Sequence, residues 1–318
     1  MKRAKTSLLL GVTGFIGQNL ANYLHAQGEK VVGTYIHGLY PSQFHPEIRL
    51  IRCDVTQPKS IERVVRRFSP HHIYYLAAQS SVRRAWLKPI ETLQINFIGG
   101  VYLLELLRKL KSKAKVLIFS SGTSYGTSHL SGTPLSEEAC LRPKDPYGAS
   151  KMGIDSFARL YAHTYKLHIL VVRLANLTGP GQSTAFSIAN FASQIAAMET
   201  GRSSKILEVG NLRSVRDYLD IRDGVRAIDL AMRYGKRGEV YNIASGVSRS
   251  LKDVLGQLIK LARVEKGKIR IRRRSFLIPK DEILEIRLNP SKFMKLTGWK
   301  PAISFQKTLR DILEYWRT

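Results

Sequence analysis

Apolar and polar positions change rhythm along this chain in a regular way. Through the first half, short runs that are apolar at nearly every position alternate with longer stretches whose apolar residues recur at helical spacing. Strands are expected at Ser7–Leu10, Lys30–Ile36, Arg49–Cys53, His72–Leu76, Val116–Ser120 and Ile169–Arg173, with helices starting near Phe15, Lys59, Ile90 and Pro146. Strands without in/out alternation are covered on both faces, and strands alternating with helices build a parallel sheet. After Arg173 the rhythm loosens. Thr178-Gly179-Pro180-Gly181 reads as a turn, followed by a helix from Ser187 to about Thr200. A strand at Glu239–Ile243, a helix from Ser250 and a last helix ending at Trp316 complete the pattern. The expected fold class is α/β: a doubly wound parallel sheet with a smaller α/β lobe.

Composition changes this picture little. A chain of 318 residues holds one large domain or two interlocked ones. Its 44% apolar and 24% charged residues are those of a soluble globular protein. There is no low-complexity tract and no repeat. Met1-Lys2-Arg3-Ala4-Lys5 followed by Ser7-Leu8-Leu9-Leu10 superficially resembles a secretory leader. Glycines then break the run and no small-residue cleavage site follows, so a buried first strand is expected instead. No segment approaches the ~20 apolar residues that span a bilayer. Cys53 and Cys140 have no metal-type spacing and suit a reducing, cytoplasmic compartment.

Charge is the unusual feature. Lys and Arg number 51 against 24 Asp and Glu, a formal net charge of +27. The basic residues cluster at Arg108-Lys109-Lys111-Lys113-Lys115 and at Lys266-Lys268-Arg270-Arg272-Arg273-Arg274. Such a surface attracts polyanions. No nucleic-acid motif accompanies it, so it reads as a solvated basic face that draws in an anionic substrate.

Chemistry enters at Gly11-Val12-Thr13-Gly14-Phe15-Ile16-Gly17, between the first strand and first helix. One glycine permits a sharp turn, one lets backbone approach a pyrophosphate, and one lets helix pack on strand. The helix N-terminus adds free N–H groups and a positive dipole. This is the context of a dinucleotide-binding Rossmann turn. The acid that usually holds an adenosine ribose is missing from Val31-Val32-Gly33-Thr34-Tyr35-Ile36-His37-Gly38, and so is an arginine for a 2′-phosphate. NAD and NADP therefore both stay open. Asp54, after the third strand, is placed to meet the adenine edge or to cap its own turn.

Tyr147-Gly148-Ala149-Ser150-Lys151 opens a later helix. Four residues apart, Tyr147 and Lys151 share one helix face. A nearby ammonium favours the phenolate and brings a tyrosine that titrates near ~10 closer to working pH. One strand earlier, Phe119-Ser120-Ser121-Gly122-Thr123-Ser124-Tyr125-Gly126 puts small hydroxyls at a carboxyl strand end, where open α/β sheets bind ligands. Ser121 can hydrogen-bond a substrate oxygen beside Tyr147.

With these motifs in this order, the chain resembles the extended short-chain dehydrogenases/reductases that act on nucleotide sugars. The resemblance runs through Thr13–Gly17, Asp54, Leu76-Ala77-Ala78-Gln79, Asn96, Ser120-Ser121, Tyr147–Lys151 and Arg173. Asn176, Gly179-Pro180-Gly181-Gln182, Val209-Gly210-Asn211-Leu212 and Arg216-Asp217-Tyr218-Leu219-Asp220 are similar to the GDP-mannose-linked branch. It implies a dinucleotide-binding Rossmann domain over 1–174 with 213–245, and a nucleotide-sugar-binding lobe over 175–212 with 246–318.

The resemblance also implies catalysis by Ser121, Tyr147 and Lys151: Tyr147 as general acid, Lys151 on the nicotinamide ribose, Ser121 polarising the sugar ketone. Implied cofactor contacts are Gly11, Gly14, Phe15, Ile16, Gly17, Asp54, Val55, Leu76, Ala77, Ala78, Tyr147 and Lys151. Implied substrate contacts are Gln79, Ser121, Asn176, Phe186 and Arg216, the last by a guanidinium fork on diphosphate or by pairing with Asp217 or Asp220. No metal is implied. A homodimer through a four-helix bundle is implied, from the helices near Asn96–Leu110 and Tyr147–His163.

Departures from the family narrow the chemistry. The 4,6-dehydratases carry carboxylate acid/base groups just after the Ser/Thr, where this chain has Gly122 and Thr123. Ala175 replaces a phenylalanine and widens the sugar pocket. The Arg-Pro-x-Glu segment becomes Ile278-Pro279-Lys280-Asp281, leaving Lys280 or Arg274 to take the arginine's place. An epimerase retains its NAD through a full redox cycle, usually with an acid after the second strand. Its absence favours a reductase of the C4 ketone of a GDP-4-keto-6-deoxyhexose using dissociable NAD(P)H. A 4-epimerase with bound NAD is the alternative, ahead of a dehydratase or a non-catalytic dinucleotide- or RNA-binding protein.

Overall fold

Leu8, Leu9 and Leu10 are all fully buried because successive side chains of a strand point to opposite faces, and both faces of this strand are covered. The computed structural model describes residues 5–38, 41–131, 133–265, 267–274 and 283–318. In it the expected strands form as β1 (Thr6–Leu10), β2 (Lys30–Tyr35), β3 (Arg49–Arg52), β4 (His72–Tyr75), β5 (Lys115–Ser121) and β6 (Ile169–Leu174), joined later by β10 (Val240–Ile243). Every one pairs in parallel, in the order β10-β6-β5-β4-β1-β2-β3. The order reverses between β1 and β4, which opens a crevice at their carboxyl ends.

Helices α1 (Phe15–Ala26), α8 (Ile221–Tyr234) and α10 (Ser291–Thr297) cover one face, with Leu9, Leu20, Val172 and Ile228 in their core. On the other face lie α2 (Pro58–Phe68), α5 (Gly99–Lys109) and α6 (Pro146–Thr164), over Leu8, Leu10, Ile61, Leu104 and Ile154. Short helices α3 (Val82–Leu87) and α4 (Pro89–Leu93) lead into α5 through one wide π turn at Gln94–Ile98. Together α4, the π turn and α5 form a helix of 21 residues with mean hydropathy 1.3, long and apolar enough by composition to cross a membrane. It is not an unbroken run of ~20 apolar residues, since Glu91, Gln94, Asn96 and Glu105 interrupt it. Leu103, Leu104 and Leu107 of α5 pack on the sheet, so these apolar residues serve the core.

The smaller lobe is built around β9 (Val215–Asp220), which pairs with β7 (Asn176–Thr178), β11 (Ser248–Ser250) and β13 (Glu285–Ile286). Beside it β8 (Ile206–Val209) pairs with β12 (Arg270–Arg273). Helices α7 (Ser187–Glu199), α9 (Leu251–Leu261) and α11 (Phe305–Arg317) close over Leu207, Tyr218, Leu255 and Leu313. A separate cluster of Tyr125, Leu135, Ala175, Ala244, Ile286 and Leu288 lies where the two sheets meet. Since β9 pairs within the small sheet, the stretch 213–245 joins the large sheet and its helices only from Ile221 onward.

Helix α8 was not among the expected elements, although Ile221, Val225, Ile228 and Met232 recur at helical spacing on its buried face. Two positions of its buried face are carboxylates. Asp223 accepts the main-chain N–H groups of Ala302 (2.9 Å) and Ile303 (2.8 Å), and Asp229 pairs with Arg233 at 2.8 Å. Both acids are thus buried with their partners in place.

Of the second basic cluster, Arg270–Arg273 forms the exposed strand β12, and Arg274 pairs with Glu208. Lys266 lies outside the described residues, as do Met1–Ala4 and Ile278-Pro279-Lys280-Asp281.

Candidate active site

The glycine turn follows β1 directly and faces the end of β4. Gly11 has φ +92°, and a Cβ there would lie 2.7 Å from Ala77 Cα, so only glycine allows the turn to pass β4. A Cβ at Gly17 would lie 2.6 Å from the Val12 carbonyl oxygen, which shows how closely α1 packs on the turn. Gly14 behaves differently: its nearest neighbour would be Gly11 O at 3.8 Å, so this backbone borders open space. Helix α1 begins there with no side-chain cap and no acid in its first turn. Free N–H groups, positive dipole and room for close approach together fit a pyrophosphate. Leu76, Ala77 and Ala78 leave β4 alongside, half-buried, and Phe15 approaches the Gly179 turn.

Ser121 ends β5, and its Oγ takes part in two local hydrogen bonds, to Thr123 Oγ1 (3.0 Å) and from Thr123 N (3.1 Å). Asp145 caps α6 by accepting from Gly148 N at 2.8 Å, which sets the first turn that carries Tyr147. Ser121 and Tyr147 come together: burial pushes the Tyr147 phenol up to about 12, a hydrogen bond with Ser121 opposes this, and Asp145 adds to it. Lys151 is buried and donates to Phe119 O at 2.9 Å; burial draws its ammonium down to about 8. The expected lowering of the phenol by Lys151 is therefore reversed in the protein alone. Desolvation of the phenolate outweighs any field from an ammonium whose proton is itself destabilised by burial.

The other candidates are placed as follows. Asp54 Oδ1 accepts from Thr56 N (2.9 Å) and Thr56 Oγ1 (2.7 Å), so it holds its turn while standing at the crevice edge next to buried Val55. Gln79 is buried with both ends of its amide engaged: Nε2 donates to Ser81 O and Thr92 Oγ1, and Oε1 accepts from Ser81 N. Asn176 is exposed at the start of β7, and Phe186 is exposed before α7. Arg216 donates to the carbonyls of Val215, Ile283 and Leu284. Neither acid weighed as its partner is idle: Asp217 accepts from Ser245 and Gly246 main-chain N–H groups, and Asp220 pairs with Arg222.

Beneath this site lies a frame in which Asn96 and Arg173 were legible only as motif positions and Asp155 was passed over. Asn96 sits in the π turn, accepts from Gln79 N (2.7 Å) and donates to Ser150 Oγ (2.9 Å), tying the end of β4 to α6. Asp155 is fully buried and pairs with Arg173 through two contacts, at 2.8 and 3.2 Å. Arg173 also donates to Tyr125 Oη at 2.9 Å, and Tyr125 Oη donates to Asn242 Oδ1 at 2.8 Å. The usable signal was spacing. Asp155 follows Lys151 by four residues and Tyr147 by eight, so all three lie on one face of α6.

Comparison with known proteins fits this arrangement. A family model described as GDP-mannose 4,6 dehydratase matches residues 8–312. The chain belongs to that family, within the extended short-chain dehydrogenases/reductases. It is 32% identical to GDP-6-deoxy-D-mannose reductase of Pseudomonas aeruginosa over 97% of this chain and 96% of the relative. The solved structure of RMD from Pseudomonas aeruginosa complexed with NADPH superposes with TM-score 0.84 at 31% identity, covering 99% of each chain. A Thermus thermophilus UDP-glucose 4-epimerase in complex with NAD gives TM-score 0.87 at 27% identity, covering 98% of this chain and 99% of that one.

Proposed function

We propose that the chain reduces the C4 ketone of a GDP-4-keto-6-deoxyhexose, with GDP-4-keto-6-deoxy-D-mannose as substrate and NAD(P)H as hydride donor. The observation that carries this reading is a Ser121-Tyr147-Lys151 group at the crevice, with Gly122 and Thr123 where a dehydratase needs carboxylates. The reductase relative supports it. Bound NAD(P)H would supply the hydride, its pyrophosphate held by the glycine turn. Residues 34–38 carry no carboxylate to repel a 2′-phosphate.

Each protein group then has a defined task. Burial keeps Tyr147 protonated, so its Oη can donate to the alkoxide as charge develops at the sugar oxygen. Ser121 hydrogen-bonds the same oxygen and orients the ketone. Lys151, still largely protonated at neutral pH, holds the ribose and adds positive charge near the forming alkoxide. Asn176, Phe186 and Arg216 would line the nucleotide-sugar side, Arg216 exchanging main-chain carbonyls for phosphate.

The deciding experiment mixes the purified protein with GDP-4-keto-6-deoxy-D-mannose and NADPH or NADH and follows loss of the reduced cofactor. Turnover to a GDP-6-deoxyhexose is expected, with no dehydration of GDP-mannose. No cofactor oxidation, together with interconversion of two nucleotide hexoses without added cofactor, would replace the reductase by the epimerase.

Lys151 also sets an expected pH profile. Its lowered ammonium means that kcat/KM, which reports the free enzyme, stays level below about pH 8 and falls above it as the proton is lost. Tyr147, held near 12, gives no second limb below pH 10. A profile rising through pH 8 would contradict these assignments.

A second copy of the chain is the proposed partner at α4–α5 and α6. Ile90 and Leu160 are more than half exposed there, as is Leu87 at the end of the adjoining α3, and Phe97 and Phe157 are only partly covered. Sedimentation velocity at micromolar concentration is expected to show the dimer, and a monomer alone would remove it. A cytoplasmic location accords with the two unpaired thiols, Cys53 and Cys140.

A further inference from the structure

The first basic cluster finds its place far from this chemistry. The segment after α5 meets the segment after α6 at the amino ends of β5, β6 and β10, opposite the end that carries Ser121 and Tyr147. Between them lies an open basin of about 520 Å³ lined by Arg108, Lys111, Lys113, Tyr165, Lys166 and Arg237. A neighbouring concavity of about 530 Å³ shares Lys166 and Arg237 and adds Arg159 and His163.

Most of the basin's charge is left uncompensated. Arg108 pairs with Glu105, and Glu239 of the second concavity is taken by Lys292. Among the described residues no carboxylate pairs with Lys111, Lys113, Lys166 or Arg237. His168, also in the lining, is shifted toward its neutral form by burial and then by Lys115 and Arg237.

Backbone conformation points the same way. Lys111 (φ +48°) and Lys166 (φ +58°) are two of only three non-glycine residues at positive φ among those described. Each follows a helix, and at α5 the Ser112 N–H closes the helix end on Leu107 O. Glycine is the unstrained residue for that position. A helix dipole explains one cation at each helix end. It does not explain two strained lysines turned to one basin that already holds Arg108, Lys113 and Arg237.

We propose that this basin is a second anion site, distinct from the glycine turn, which takes the oligophosphate chain of a small soluble ligand. The shared chemistry is three or more linked phosphates, supplied by a nucleoside triphosphate or by inorganic oligophosphate. A basin of this size with a single aromatic, Tyr165, suits such a ligand better than a nucleic-acid strand, which stacks successive bases on several aromatics. The assignment stands whether or not the reductase reading does.

The test is calorimetric titration of the full chain, its glycine turn saturated with NADPH, with tripolyphosphate and separately with ATP. One equivalent is expected to bind. Tighter ATP identifies a nucleotide as the source, and equal affinity identifies inorganic oligophosphate. Lys111→Gly/Lys166→Gly is expected to weaken binding at least about tenfold, the size of losing two charge-assisted contacts, with turnover unchanged and the melting temperature equal or higher. Lys113→Gln, which leaves the backbone alone, is expected to weaken binding in the same direction. Absence of binding, or wild-type affinity in the double variant, overturns the site. So does tighter binding of a 20-nucleotide single-stranded RNA that the same variant abolishes, because the surface then serves nucleic acid.

Discussion

Tyr147→Phe is expected to lower kcat by about 10³-fold, within the range that a positioned general acid contributes, while NADPH binding is unchanged. The substitution removes one oxygen and keeps the ring that occupies the first turn of α6. What is lost is the proton that burial holds on the phenol at neutral pH. In its place the alkoxide must draw a proton from water, and a factor of 10³ corresponds to about 4 kcal/mol of transition-state stabilisation. Cofactor affinity separates this from a damaged fold, since the glycine turn, Lys151 and the end of β4 are untouched. Steady-state turnover combined with fluorescence titration of NADPH provides both readings. Retained turnover would remove Tyr147 from proton transfer, and loss of both activities would make its role structural.

The second large effect is expected away from the crevice. Arg173→Met should cost about 3–5 kcal/mol of folding stability, the penalty for removing one partner of a buried ion pair. Asp155 and Arg173 are both essentially inaccessible, and the guanidinium also satisfies Tyr125 and the Glu137 carbonyl. Without it, a carboxylate stays buried on the face of α6 that presents Tyr147 and Lys151. Arg173→Met/Asp155→Asn is expected to recover part of the loss, because no uncompensated charge remains. Urea unfolding of the two variants measures both terms. A single-variant cost below about 1 kcal/mol, the range of exposed pairs, would mean that the pair does not hold the frame.

The two experiments separate roles that adjoin each other in space. In the proposed reaction Tyr147 meets the reacting oxygen, whereas Arg173 holds the helix that carries Tyr147 and the turn after β5 that carries Tyr125. A variant of Arg173 that still folds should lose kcat through misplacement, with the proton donor itself intact.

Much of the fold was legible in the sequence because local rules and tertiary packing agree there. β1, β2, β4, β5 and β6 are covered on both faces, so their apolar runs need no partner information to be read. α1 and α6 announce themselves through Gly14 and through Asp145-Pro146, which determine where each helix starts. The small lobe was harder. Its strands β7, β8, β11, β12 and β13 are two to four residues long and gain their partners only across the lobe, so no local period marks them. α8 was legible and missed: Ile221, Val225, Ile228 and Met232 stand at helical spacing along it.

The sequence by itself determined the order of chemistry along the chain: a phosphate turn, a strand-end serine, a tyrosine and lysine one helical turn apart, and no acid at 122 or 123. Those features are set by residue type and short spacing, which persist whatever the packing. Only the tertiary structure decided how the groups behave. Burial raises Tyr147 and lowers Lys151, reversing the direction that a tyrosine–lysine pair suggests in isolation, because desolvation depends on what surrounds a group. Long-range folding also brought Lys111 and Lys166, 55 residues apart, to one basin and placed Asp155 against Arg173 beneath the site. Contacts between distant segments follow from sheet order and helix packing, and no local pattern in the chain encodes them.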